Sequence, residues 1–393
     1  MTTHVDVKPE MIEWAIKRSQ LAENALKSPI LQLARQWVSG SKPPTLSKLD
    51  EFSRKVRVPF GYLFLDSPPD EPLPIADFRT FDDKTPRNPS PNLLDTIYDM
   101  QLRQDWMREE MIANEMEPIS FVNSIGTTET IAAAAERIRN SLGLSENWTQ
   151  NCKDEEDCFA QLRQAADQLG ILIFLNGIVG VNTHRQLNCQ EFRGFVLSDE
   201  YAPLIFVNGN DANAARLFTL AHELVHLALG KSGLFNLRKF DVAQDELEHR
   251  CNKIAAEFLV PSAAFDNAWK KCSSDTPFTE IIVKLSRSFR VSRLVIARLA
   301  LDRQLLSRKH FLAFYRESKA EWEYLKAKKK AEGKSGGDYY NTTKSRLSRR
   351  FSEAVFAAVR AGELLHRDAY SLMGLTGKTF EQYRKLVLEN KDG

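Results

Sequence analysis

The chain has 393 residues, is 43% hydrophobic and 27% charged, and carries a net charge of +2. That length leaves room for two or three domains with full cores, and the composition excludes a disordered, collagen-like or disulfide-stapled chain. Residues 1–66 carry +3 and residues 305–393 carry +8, leaving −9 between them, so any nucleic acid is expected at the ends of the chain.

Residues 9–66 read as a small helical domain. Pro9 opens a helix with Ile12, Trp14 and Ile16. Ser28 and Pro29 start a second, with Ile30, Leu33, Ala34 and Trp37 at helical spacing up to Gly40. Its polar side chains include Gln32, Arg35 and Gln36. Thr45 caps a third helix bearing Leu46, Leu49, Phe52 and Val56. Seven prolines between Asp66 and Pro91 make residues 67–92 an extended linker.

Residues 93–304 follow as the main domain. Helices are predicted from Leu93 to about Asn114, Thr127 to Leu142 and Glu155 to Leu169. Ile171–Leu175, Glu191–Leu197 and Leu204–Val207 are short apolar runs that make a small sheet. One edge of it is a candidate to hold an extended peptide, although each strand reads equally well as core. Phe278 to Leu301 adds two amphipathic segments.

Residues 305–393 are a basic helical module. The helical stretch Trp322–Lys330 ends in a lysine run, and Glu332–Asp338 is a flexible break. A helix from His366, a turn at Gly374 and a second helix over Phe380–Leu388 complete it. DNA binding and protein docking are equally open for this module.

Five cysteines (Cys152, Cys158, Cys189, Cys251 and Cys272) lack close metal-type pairing, and no disulfide framework is expected. Asp6, Lys8, Glu10 and Glu13 leave no apolar leader, and no segment is apolar over a bilayer's length. The expectation is a cytoplasmic protein without a membrane partner.

The chemistry concentrates in His222-Glu223-Leu224-Val225-His226. Two histidines four apart share one helix face and can grip one metal ion, while the glutamate between them reaches a water at that metal. Ala215, Thr219, His222, His226 and Leu229 form one stripe that turns the histidines inward, with Gly230 as C-terminal stop and Asn210 or Asp211 as cap. On the next helix pattern, Asp245 to Pro261, the residues Glu246, Arg250, Lys253 and Glu257 pair as a solvated face. Glu248, Asn252, Ala255 and Leu259 fall on the opposite, buried face. A buried carboxylate needs a partner, and a Zn2+ ion on His222 and His226 supplies one, which makes Glu248 the third ligand. Asn252, one turn on, is placed to orient a ligand histidine. Tyr201, Arg193 and His249 are candidates to stabilise an oxyanion.

The stretch Arg216-Leu-Phe-Thr-Leu-Ala-His-Glu-Leu-Val-His226, with Glu248-His-Arg-Cys-Asn252 and Ala255-Ala-Glu-Phe-Leu-Val-Pro261, resembles the ImmA/IrrE metallopeptidases. Phe192–Val196 and Pro203–Asn208 are similar to that family's lead-in strands. The resemblance implies an α+β fold: mostly helical, with a zincin-like core, a small β-sheet and helical modules on either side. It also implies His222, His226 and Glu248 as zinc ligands and Glu223 as catalytic base, a gluzincin-like arrangement. Trp37-Val-Ser-Gly40, Pro44-Thr-Leu46 and Val58-Pro-Phe-Gly-Tyr-Leu-Phe-Leu65 resemble the repressor-type (Xre-like) helix-turn-helix domain of longer members. Ala25-Leu-Lys-Ser28 replaces that domain's glycine turn, and Val38 its acidic residue after tryptophan, so the resemblance implies either DNA contact through Gln32, Arg35 and Gln36 or, equally, a degenerate domain kept for packing or dimerisation. The function expected is a zinc endopeptidase tied to transcriptional regulation, cleaving a repressor or antitoxin-like partner. The alternative is a DNA-binding regulator or antitoxin whose peptidase fold is a scaffold holding a cognate toxin.

Overall fold

The computed structural model describes residues 4–21, 27–75, 89–235, 246–273, 275–331 and 346–389. The chain divides into two compact units, residues 1–74 with 81–98, and residues 75–80 with 99–393. In the first, α1 (Pro9–Ser19), α2 (Pro29–Val38), α3 (Leu46–Val56) and a 3-10 turn at Phe60–Phe64 enclose one core. Ile12, Leu31, Ala34, Trp37, Leu49 and Phe52 fill it, each from the apolar stripe of its helix. The Thr45 hydroxyl accepts from Lys48 N–H at 3.4 Å. Ser28 also stands at a cap, but there the carbonyl takes the Leu31 and Gln32 N–H groups at 3.0 and 3.1 Å. Arg18 binds the Glu71 carboxylate and the Arg57 carbonyl, which fastens the start of the proline-rich stretch to this unit. Residues 76–88 of the expected linker, and Ala25 and Leu26 of the expected turn, lie outside the described residues.

The second unit is built on a mixed sheet. β1 (Leu172–Asn176) pairs parallel with β5 (Leu204–Asn208), β4 (Gly194–Leu197) runs antiparallel to β5, and β6 (Gly233–Phe235) closes the order β1-β5-β4-β6. A separate hairpin joins β2 (Ile178–Val179) to β3 (Asn182–Gln186). β4 starts three residues later than the apolar run predicts. The Asn188 carbonyl takes Glu191 and Phe192 N–H, and its side chain takes Gln190 N–H, so this stretch is a turn.

The strands are apolar on both faces because both are covered. Ile173, Leu175, Val196, Ile205 and Val207 join the main core with α7 (Asn213–Ala228). Phe174, Phe195 and Phe206 point the other way, with Phe195 and Phe206 stacked at 5.1 Å. The second half of α4 (Pro91–Ala113) and α13 (Arg349–Ala361) cover that face: Phe351 meets Phe174 at 5.5 Å and Trp106 at 5.6 Å. α14 (His366–Met373) and α15 (Gly377–Glu389) pack on α13 through Phe356, Phe380 and Tyr383. The expected turn at Gly374 has a left-handed φ of 65°.

Helices α5 (Ile131–Ser141) and α6 (Glu155–Gln168) are capped by Thr130 and Asp154. With α7, α8 (Glu246–Leu259), α10 (Phe278–Phe289) and α11 (Arg293–Asp302) they supply the larger hydrophobic core. α9 (Ser262–Lys270) adds Phe265 to it. α12 (Arg308–Ala331) follows, and the expected break at Glu332–Asp338 lies outside the described residues. The fold is thus mostly helical with a small mixed sheet. No helix of the described residues is long and apolar enough to cross a membrane.

Candidate metal centre

Helix α7 carries the first two site residues. From Leu217 to Ala228 every residue is buried, because the sheet lies on one side and helices α6 and α8 on others. Ala212, not Asn210 or Asp211, is the cap residue. Asp211 accepts from Ala212 N–H at 3.0 Å and pairs with Arg193, while Asn210 donates to the Gly177 and Leu187 carbonyls, so neither side chain is left for the helix. At the far end Gly230 has φ 67°, and Lys231 N–H returns to the His226 carbonyl at 2.9 Å. This αL closure fixes the last turn that carries His226.

The Nε2 atoms of His222 and His226 are 2.9 Å apart, and the rings meet at 66°. Glu248, on α8, sends Oε2 to within 3.3 Å of His222 Nε2 and Oε1 to within 3.2 Å of His226 Nε2. Both histidines are 0% and Glu248 6% exposed. Burial pushes the Glu248 carboxyl up, but hydrogen bonds and charge from both imidazoles outweigh it and hold the group down to about 2. Nitrogen and oxygen donors at about 2.0–2.2 Å around a tetrahedral ion lie roughly 3.3 Å apart. Two nitrogens and a carboxylate at these separations fit a zinc-type ion. Among the described residues, His222, His226 and Glu248 are the group whose ligand atoms converge in this way, all within 4.8 Å of one another.

Glu223 follows His222 on α7 and is 1% exposed, and its Oε2 has no hydrogen-bond partner among the described residues. Burial, and then the Glu248 carboxylate, raise its pKa well above the ordinary value. Its neighbour across the sheet is Gly194. A Cβ there would stand 2.7 Å from Thr219 Cγ2, 2.9 Å from Glu223 Oε1 and 3.0 Å from the Phe206 carbonyl oxygen. Strand β4 lies this close to α7 only because it has no side chain at that point.

The other sequence candidates lie at varying distances from this centre. Asn252 is half-buried on the wall of a cavity, together with His249. The neighbour of His226 Nδ1, the nitrogen turned away from the converging donors, is Cys251, with Sγ at 3.7 Å. The sequence gives that role to Asn252, and one residue of helical phase separates the two readings. Arg193 pairs with Asp211 at 3.4 Å, and Tyr201 N–H donates to Asp199 in the β4–β5 turn. Glu257 is a correction: instead of lying on a solvated face it is buried, taking Ser262 N–H at 3.0 Å and the Ser262 hydroxyl. Arg250, also placed on that face, reaches back to the Gly126 and Glu129 carbonyls. The helix that follows Pro261 draws Glu257 inward, because its first N–H groups need an acceptor. Gln32, Arg35 and Gln36 are exposed on α2 in the first unit.

A buried two-histidine, one-carboxylate cluster on facing helices, with an acid beside it, is the constellation of a metallopeptidase. Residues 166–300 match the IrrE N-terminal-like domain. This is a metallopeptidase family, and the match contains all four centre residues. The IrrE-like region runs from the end of α6 to α11 and takes in the whole sheet. Residues 347–385 match a domain of unknown function (DUF8813), which corresponds to α13–α15. A search of curated proteins finds no match to the chain.

Proposed function

We propose that the protein is a zinc-dependent endopeptidase acting on a specific protein partner, a repressor or antitoxin-like regulator. The observation that carries this reading is the convergence of His222, His226 and Glu248 beside the buried Glu223, whose Oε2 has no hydrogen-bond partner among the described residues. His222 Nε2, His226 Nε2 and a Glu248 oxygen would hold the ion, and Cys251 Sγ would steady the His226 ring from behind. The chemistry such an ion supplies when bound is Lewis-acid polarisation and a more acidic water. Glu223 takes the proton of the attacking water and returns it to the leaving amine. Its burial keeps bulk water away, and Gly194 leaves the room in which its carboxyl turns. DNA contact through α2, with Gln32, Arg35 and Gln36 outermost, would tie cleavage to transcription.

The test is Glu223→Gln. The variant should bind zinc as the wild type does and lose cleavage of its regulator partner. Cleavage at the wild-type rate would refute the assignment. One observation favours a second reading, a regulator or antitoxin with a scaffold-like peptidase fold: none of the four centre residues is more than 6% exposed. Inhibition of a co-purifying toxin by Glu223→Gln, with no cleavage by wild type, would select it.

A further inference from the structure

A cavity of about 180 Å3 lies one side chain away from the metal centre. Phe218, one helical turn before His222, forms part of its wall, and the two rings stack at 6.4 Å. Asn252 and Ala256 contribute the adjoining face of α8, one and two turns beyond Glu248. Ile131, Val295 and Leu299 close it from α5 and α11.

Lys253 and His249 also line it, and several of the other polar groups around it pair with one another. Arg298 pairs with Asp302 at 2.9 Å, Arg303 with Asp266 at 2.8 Å and with the Ser262 hydroxyl, and Glu257 with Ser262. What remains is an apolar chamber with one buried polar atom, Asn252 Oδ1, that has no hydrogen-bond partner among the described residues. A buried acceptor without a donor is costly, and a peptide N–H is the donor that an incoming substrate brings. A dry apolar cavity of about 150 Å3 is large enough to take a benzene ring.

We infer that this cavity is the specificity pocket of the proposed peptidase. It takes a large uncharged apolar side chain, of phenylalanine or leucine size, next to the scissile bond, while Asn252 Oδ1 accepts a backbone N–H of the same substrate. The inference rests on the peptidase reading and adds its substrate class. The apolar walls formed by Ile131, Phe218, Ala256, Val295 and Leu299 favour a large apolar side chain, and small ones leave the chamber unfilled.

The experiment uses the full-length zinc-loaded protein and two zinc-binding probes, acetohydroxamate and 3-phenylpropionohydroxamate, with Kd values from calorimetry. Wild type should bind the phenyl compound about tenfold or more tightly, the gain expected for burying one aromatic side chain. Filling the chamber with Ala256→Phe should collapse that ratio to about one. Ile131→Trp, from the opposite wall, is the second variant and keeps the test alive if Ala256→Phe does not fold. Equal binding of both probes to wild type, or a ratio that survives both variants, would overturn the pocket and leave the peptidase standing. Failure of the zinc-loaded protein to bind either probe would overturn the peptidase reading and the pocket with it.

Discussion

Gly194→Ala tests the packing that places Glu223. The added methyl meets three atoms at 3.0 Å or less: Thr219 Cγ2, Glu223 Oε1 and the Phe206 carbonyl oxygen. The last belongs to β5, paired in register with β4, and cannot retreat without breaking the ladder. Thr219 and Glu223 are one turn apart on α7, so the strain resolves by tilting that helix or swinging the Glu223 carboxyl away. Overpacking of this kind costs about 1–3 kcal/mol. At about 2–4 °C per kcal/mol for a unit of this size, Tm should fall by roughly 2–12 °C. Gly61→Ala is the control, since nothing lies within 4 Å of its added Cβ. Scanning fluorimetry of both variants, with and without zinc, reads the effect. Partner cleavage should fall further than zinc affinity, because the displaced carboxyl is the proposed base and not one of the proposed ligands. A Gly194→Ala protein as stable as the control would refute the close approach of β4 to α7.

Glu248→Ala removes the anionic donor, and zinc per chain, measured on protein purified without chelator, should fall from about one to near zero; full retention would remove Glu248 from the site. Cys251→Ala should weaken zinc binding about 10–100-fold in a chelator competition, as loss of a partner behind a metal-ligating histidine does, and Cys251→Ser should restore most of it. Equal affinities in all three proteins would show that the sulfur does nothing for His226. Asp167 is lifted by burial to about 6, against a downward pull from Arg163 and Ser348. Its folded pKa lies above the unfolded value, so the native state binds the extra proton and stability is lost as pH rises from about 4 through about 6. The loss is on the order of 3 kcal/mol for two pKa units. Urea unfolding of wild type and Asp167→Asn between pH 4 and 7 should show a difference that grows over that window and is flat above it. A pH-independent difference would rule out a raised Asp167.

The helices of both units were legible in the sequence because their signals are local. Proline and threonine starts, glycine stops and the apolar stripes of α1 to α3 and α7 need only neighbouring residues. The convergence of His222, His226 and Glu248 was legible for the same reason, since i,i+4 spacing brings the two histidines together and the cost of a buried charge points to Glu248. What escaped depends on tertiary contact. Asn182 to Gln186 is polar on both faces, so β3 carries no alternation to read. Gly194 gave a faint hint, a glycine within an apolar strand, but its meaning depends on Thr219 and Glu223 across the interface. Glu257 looked solvated because its acceptor role is set by the helix after Pro261. Choosing between Cys251 and Asn252 behind His226 needs a helical phase finer than the sequence pattern resolves.

The phenylalanines on the far side of the sheet bear on where this protein can be cut. A fragment holding only residues 166–300 keeps every centre residue but strips α4 and α13 from Phe174, Phe195 and Phe206. Three large rings on an otherwise finished sheet would then meet water, the condition under which isolated domains clump instead of dissolving. The segment that holds the candidate centre is therefore smaller than the segment that buries its sheet, and the basic C-terminal helices belong to the architecture of the second unit.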